Sequence, residues 1–194
     1  MSEVRPDGES RNLQLIGERI RSRRTTKLFL KQKVSKTLVR DAIEVARWAP
    51  NHHLTEPWHF YMLGEEMIAD SIELIRTIVA DTKNEEVAAF KAKSAAVIPG
   101  WLVVTCQKSD DELRQQEDYA SCACAVQNLT LYLSEAGVAC KWTTGLVTRD
   151  SRFFDLLGFD QNEAFVVGLI WYGYPKVLPT QNRKSVGEIL TETR

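Results

Sequence analysis

No run of this chain is apolar for long enough to span a bilayer. A membrane helix needs about 20 consecutive apolar residues, and the longest candidates, Ala95 to Val104 and Ala164 to Tyr172, fall well short. They read instead as buried strands. Net charge is nearly absent too. The 25 Lys and Arg against 26 Asp and Glu leave a formal -1 at pH 7, so the chain as a whole offers no field that would gather nucleic acid or an anionic membrane. Any basic patch is local. Met1 to Arg11 has no apolar stretch ahead of a small-residue cleavage site, which excludes a secretory signal and makes a cytoplasmic location the expectation.

Paired cysteines and the common catalytic fingerprints are missing in the same way. Cys106, Cys122, Cys124 and Cys140 show no C-x-x-C spacing, and Cys122 and Cys124 fall on different faces of a helix, so small buried thiols are expected, not a redox pair or metal site. The chain contains no G-x-G-x-x-G, G-x-x-x-x-G-K-[ST], G-x-S-x-G or H-E-x-x-H. A Rossmann dehydrogenase, a P-loop NTPase, an α/β-hydrolase and a zincin therefore lack their signatures.

What is present is the balance of a folded protein, with 44% hydrophobic and 26% charged residues. Residues 1–11 read as a flexible leader and 12–194 as one domain, without repeat or linker. Leu13, Ile16 and Ile20 recur at helical spacing up to about Arg21. Ser35 is placed to cap a second helix through Ala46, ended by Pro50. Trp58 to Leu63 reads as a strand, Glu65 to Ala80 and Glu85 to Lys93 as helices, and the continuous apolar run Trp101 to Cys106 as a strand buried on both faces. Ser109 and Glu112 have capping-box spacing before a long helix with Cys122, Ala125, Val126, Leu129 and Leu133 on one face. Cys140 to Gly145 reads as a strand, Thr148 as the cap of a short helix stopped by Gly158, and Ala164 to Tyr172 as a last strand.

Four segments could carry chemistry. Arg23-Arg24-Thr25-Thr26-Lys27 follows the first helix; if extended, it sets Arg23, Thr25 and Lys27 on one side, suited to a phosphate, and if not, it is a basic helix end complementing the dipole. Ala49 to Phe60 is a short polar loop pinned by Pro50 and Pro57. Within it His52 and His53 are adjacent and expected to diverge, and with His59 they find no carboxylate or cysteine cluster to complete a metal shell. Lys141-Trp142-Thr143-Thr144-Gly145 runs out of a strand, with Gly145 allowing close approach to backbone and Trp142 either walling a pocket or filling the core. Gly173-Tyr174-Pro175 precedes Arg183 and Lys184, which could join Arg23 around one anion.

Taken in order, these segments resemble the nitroreductase family. Its early R-[RH]-[ST]-x-[RK] signature is similar to Arg23–Lys27, and its A-P-S-x-x-N-x-Q-P-W-x-F loop to Ala49–Phe60, with Leu54 standing where many members have Asn and Glu56 where most have Gln. Pro50-Asn51-His52 and Trp142-Thr143-Thr144-Gly145 resemble a compact subfamily. The resemblance implies an α+β fold, a mixed β-sheet flanked by helices in an interlocked homodimer with FMN at the subunit interface. It assigns Arg23, Thr25, Arg183 and Lys184 to the phosphate, Lys27 to the flavin N1/O2 edge, and Asn51 with the Thr143-Thr144-Gly145 backbone to the polar edges of the ring, and it counts Arg24, Lys141 and Trp142 among the cofactor-binding residues. By the same resemblance Pro50, Asn51 and His52 would serve the flavin held mainly by the other subunit. The activity implied is hydride transfer from NADH or NADPH to a small aromatic, quinone-like or enone acceptor, with no catalytic side chain of the protein's own and no nucleic acid or membrane partner. A flavin-binding module without turnover is the alternative.

Overall fold

The computed structural model describes residues 11–193. The leader expected over residues 1–11 lies outside them except for Arg11, which opens the first helix. In chain order the elements are α1 (Arg11–Ser22), α2 (Lys36–Ala46), β1 (Trp58–Met62), α3 (Glu65–Thr82), α4 (Glu85–Ala96), β2 (Gly100–Gln107), α5 (Glu112–Glu135), β3 (Ala139–Thr143), α6 (Ser151–Leu157) and β4 (Ala164–Gly173). The strands pair antiparallel in the order β1-β2-β4-β3. The sheet is therefore antiparallel and not the mixed one expected; among the described residues the one parallel pairing is an isolated bridge from Thr25 to Cys140, outside the named strands.

The period-two rule divides the core. Leu102, Val104 and Cys106 of β2 face α2 and α5, where they meet Val39, Ala42, Cys122, Leu129 and Leu133. Trp101 and Val103 face the other way, onto Ile78 of α3, Ala95 of α4 and Phe153 of α6. All of β2 except Gln107 is buried, as its unbroken apolar run requires. Removing a fully buried leucine side chain such as that of Leu129 costs about 2–5 kcal/mol.

Local corrections concern helix starts and one thiol. Asp111, not Ser109, caps α5, accepting from the Arg114 N–H at 3.0 Å, while the Ser109 hydroxyl accepts from Asp111 N–H one turn earlier. The carboxylate is the stronger acceptor for a free helical N–H. Asp150 likewise caps α6, and Thr148 lies buried in the preceding 3-10 turn with its hydroxyl donating to Gly145 O. Ser35 stands at the start of α2 without a side-chain cap bond. Cys124 is exposed, because its face of α5 points away from the sheet, whereas Cys106, Cys122 and Cys140 are buried.

Candidate functional site

After α1 the chain becomes extended and runs along the free edge of β3. Thr26 points inward, its hydroxyl donating to Val177 O at 3.0 Å, and the segment 28–30 is tied to Tyr174 and Lys176 by backbone bonds. By alternation Thr25 and Lys27 point outward and are exposed, and Arg23 is half-buried beside Cys140. Arg24 does something different. Its guanidinium folds back to donate to the carbonyls of Arg21 and Arg23, so it serves the end of α1, the reading in which a cation complements the helix dipole. None of the ion pairs among the described residues includes Arg23, Lys27 or Lys141.

β3 separates its own motif onto two faces. Lys141 and Thr143 pair with Trp171 and Leu169 on the α3 and α4 side, while Trp142 pairs with Ile170 on the α5 side. Lys141, Thr143 and Gly145 therefore line one cavity, of about 260 Å³. Thr144 lines another, of about 400 Å³, with Tyr119 and Phe165. The Trp142 indole N–H is committed to Val167 O at 3.1 Å, so its ring supports the strand from behind.

Cations crowd the Lys141 face. Burial first, then the neighbouring Lys27 and Lys91, push the Lys141 ammonium below the usual lysine range, and the amine stands 4.5 Å from the centre of the Trp171 ring. The Trp171 indole N–H is buried and has no hydrogen-bond partner among the described residues. Lys83, at the end of α3, and Lys91, on α4, complete the wall of this cavity. Neither showed in the sequence, where both are ordinary charged residues at helix surfaces.

The loop Pro50 to Pro57 is bolted to the first half of α5. Asn51 spends its whole amide inside the chain: its NH2 donates to Thr55 Oγ1 and Ser121 Oγ, and its carbonyl accepts from Glu56 N–H at 2.7 Å. The Thr55 hydroxyl donates to the buried Asp118 carboxylate at 2.5 Å. These bonds hold His53, Leu54 and Glu56 at positive φ of 62°, 52° and 45°. Each such residue costs about 1–3 kcal/mol of strain, a burden concentrated where loops bind ligands. Pro50 and His52 are exposed at the outer end.

Two sequence readings of the histidines are overturned here. The left-handed turn at His53 keeps the adjacent rings from diverging; they stack with centroids 3.8 Å apart. A carboxylate does reach them, Glu117 of α5, with its oxygen 2.9 Å from His52 Nδ1. Ligand atoms of His52, His53 and Glu117 lie within 4.8 Å of one another, and His59 is not part of the group. Arg183 and Lys184 sit on an exposed stretch of the tail. Arg183 donates to Asn182 O, and no hydrogen bond or ion pair among the described residues joins either cation to Arg23.

A family model described as the nitroreductase family matches residues 20–174. YfhC of Bacillus subtilis (strain 168) is 31% identical over 173 residues, 86% of this chain and 87% of that protein. Among solved structures, a nitroreductase-like family protein from Bacillus cereus superposes with a TM-score of 0.79 at 26% identity, covering 92% of this chain and 95% of the other. The FMN-dependent nitroreductase NfnB of Mycobacterium smegmatis, solved with NADPH, gives 0.78 at 16% identity over 94% and 100% of the two chains. An FMN complex from Desulfovibrio desulfuricans gives 0.75 at 19% identity over 96% and 98%.

Proposed function

The chain belongs to the nitroreductase family, and on that premise we propose that it is an FMN-dependent oxidoreductase, taking hydride from NADH or NADPH and delivering electrons to a small electrophile of the nitroaromatic, quinone or enone type. The observation that carries this reading is the run of cations, Arg23, Lys27 and Lys141, along the free edge and one face of β3, which have no carboxylate partner among the described residues. Such a concentration of uncompensated charge beside buried aromatic surface fits a flat heterocycle bearing a phosphate. The FMN and NADPH carried by the structural neighbours from Desulfovibrio desulfuricans and Mycobacterium smegmatis support the choice of cofactors.

Arg23 and Thr25 hold the phosphate, with Arg183 and Lys184 closing on it from the tail. Lys27 faces the N1/O2 edge, and Lys141, Thr143 and the Gly145 backbone meet the ring. Bound there, FMN supplies the hydride-accepting centre, which is why the chain needs no nucleophile of its own. Asn51 acts by fixing the loop so that Pro50 and His52 stand at its rim.

A second copy completes the site. Ile16 and Ile20 of α1, Val45 of α2 and Tyr132 of α5 form an exposed apolar groove of the kind a homodimer covers. The loop of each subunit then serves the flavin of the other. We place one flavin-binding domain over residues 12–194 and assign the protein to the cytoplasm; no described helix is long and apolar enough to cross a membrane. Arg19 is paired with Glu135 at 2.9 Å and Arg24 donates to the carbonyls of Arg21 and Arg23, so fewer cations after α1 stand free than the sequence offers.

Purification followed by absorbance spectroscopy tests the assignment. Flavin colour that bleaches with NADH or NADPH is expected. A colourless protein that does not take up added FMN refutes it, and colour that neither nicotinamide bleaches leaves a flavin-binding module without turnover.

A further inference from the structure

The cavity bounded by α3, α4 and β3 carries information beyond the flavin. Its walls are apolar, with Ile75, Ile78 and Leu169 among them, and its rim carries three amines, Lys83, Lys91 and Lys141, with no carboxylate in its lining. Size decides what it can hold. An apolar cavity of roughly 150 Å³ takes one benzene molecule. About 260 Å³ therefore accommodates one substituted ring, and not a three-ring flavin with its ribityl phosphate.

The electrostatics point the same way. Lys141 is half-buried and lies near two further lysines, so an anion arriving there removes repulsion as well as gaining charge-assisted hydrogen bonds. Thr143 and Gly145 belong both to this lining and to the residues placed against the flavin, so the cavity opens beside the ring. We propose that it selects the acceptor: the preferred substrate is a single-ring aromatic acid whose carboxylate is held by Lys83 and Lys91 while its reducible group lies toward Lys141 and the flavin. This rests on the flavin oxidoreductase reading above.

The test uses the FMN-loaded protein with whichever nicotinamide bleaches it, and two acceptors matched in ring and nitro group, 4-nitrobenzoate and 4-nitrobenzamide. Loss of a charge-assisted contact corresponds to about a tenfold or larger change in specificity. The ratio of kcat/KM for the acid to that for the amide is expected to fall by that factor in the K83M/K91M double variant, and by less in K91Q alone. Both side chains are exposed, so the variants fold. An unchanged ratio overturns the proposal, as does loss of FMN from the double variant, which would assign these amines to the cofactor. Calorimetry with benzoate and benzamide reads the cavity even if neither acceptor is turned over. Binding of benzoate that the double variant loses supports the site; equal or absent binding of the two overturns it, whatever the fate of the flavin assignment.

Discussion

The indole of Trp142 crosses the backbone of Gly168 so closely that a methyl group on Gly168 would come 1.9 Å from Trp142 Nε1. The sheet explains the contact. Register shifts between Val104 and Thr105, which pair with Gly168 and Val166 and leave Val167 as the extra residue of a bulge. Its carbonyl accepts the indole N–H at 3.1 Å. Gly168→Ala should therefore cost about 1–3 kcal/mol, the usual penalty of overpacking. Urea unfolding measures it; a wild-type midpoint would mean that Trp142 moves aside freely.

Adjacent arginines are expected to behave differently. A charge-assisted phosphate contact contributes roughly 1.5–3 kcal/mol, so Arg23→Ala should weaken FMN binding about ten- to a hundredfold. Arg24→Ala removes bonds to the carbonyls of Arg21 and Arg23 and should lower stability by about 0.5–1.5 kcal/mol while leaving most of the flavin in place. Flavin retained after gel filtration compares them. Equal losses would show that both arginines touch the phosphate.

This contrast marks how far the sequence could be read. The doubly buried β2 and the apolar face of α5 follow from periodicity, because each is a local pattern, whereas Arg23–Lys27 left an extended stretch and a basic helix end both open. Asp111 and Asp150 displaced the expected caps Ser109 and Thr148 because several candidate acceptors stood within one turn. The loop was harder. Positive φ at His53, Leu54 and Glu56 has no glycine to announce it, and the partners that enforce it, Ser121 and Asp118, lie 70 and 63 residues away from Asn51 and Thr55. Lys83 and Lys91 escaped notice for a similar reason, since only the packing of α3 and α4 beside β3 turns them toward Lys141.

Alkaline pH should expose the buried thiols. Burial pushes Cys140 up to about 12, whereas an unfolded thiol ionises near about 8.5. Between those values the unfolded chain has lost the proton and the folded chain keeps it, so stability is full below about pH 8.5 and falls as pH rises towards 12, on the order of 1 kcal/mol per pH unit. Cys122 adds to the same trend, its thiol raised by its hydrogen bond with Cys106 and by burial. Urea unfolding at pH 7 and pH 10 should show the loss, reduced in Cys140→Ala. An identical pH slope in that variant would place the cause elsewhere.

The exposed apolar groove formed by α1, α2 and α5 predicts a dimer of the 22.1 kDa chain. Ile20→Glu sets a charge in the middle of it and should shift light scattering at low micromolar concentration from about twice the chain mass towards the monomer, with paler protein because each flavin loses the loop of the other subunit. Wild-type protein that scatters as a monomer would remove both the interface and the shared site.

Lys27 offers the most specific test of where the flavin lies. It is exposed, next to the Thr25 bridge, and close enough to Lys141 to lower that amine's proton affinity. A cation at the N1/O2 edge stabilises the reduced, anionic ring more than the neutral oxidised one, so it raises the reduction potential. Lys27→Met should lower it. For a two-electron couple about 30 mV corresponds to roughly 1.4 kcal/mol, and one partly solvated charge contact is of that order, so a fall of some tens of millivolts is expected. FMN affinity should drop much less than in Arg23→Ala, because the phosphate contacts stay. A midpoint identical to that of the unaltered protein would make Lys27 a solvated surface residue and turn the ring away from the edge of β3.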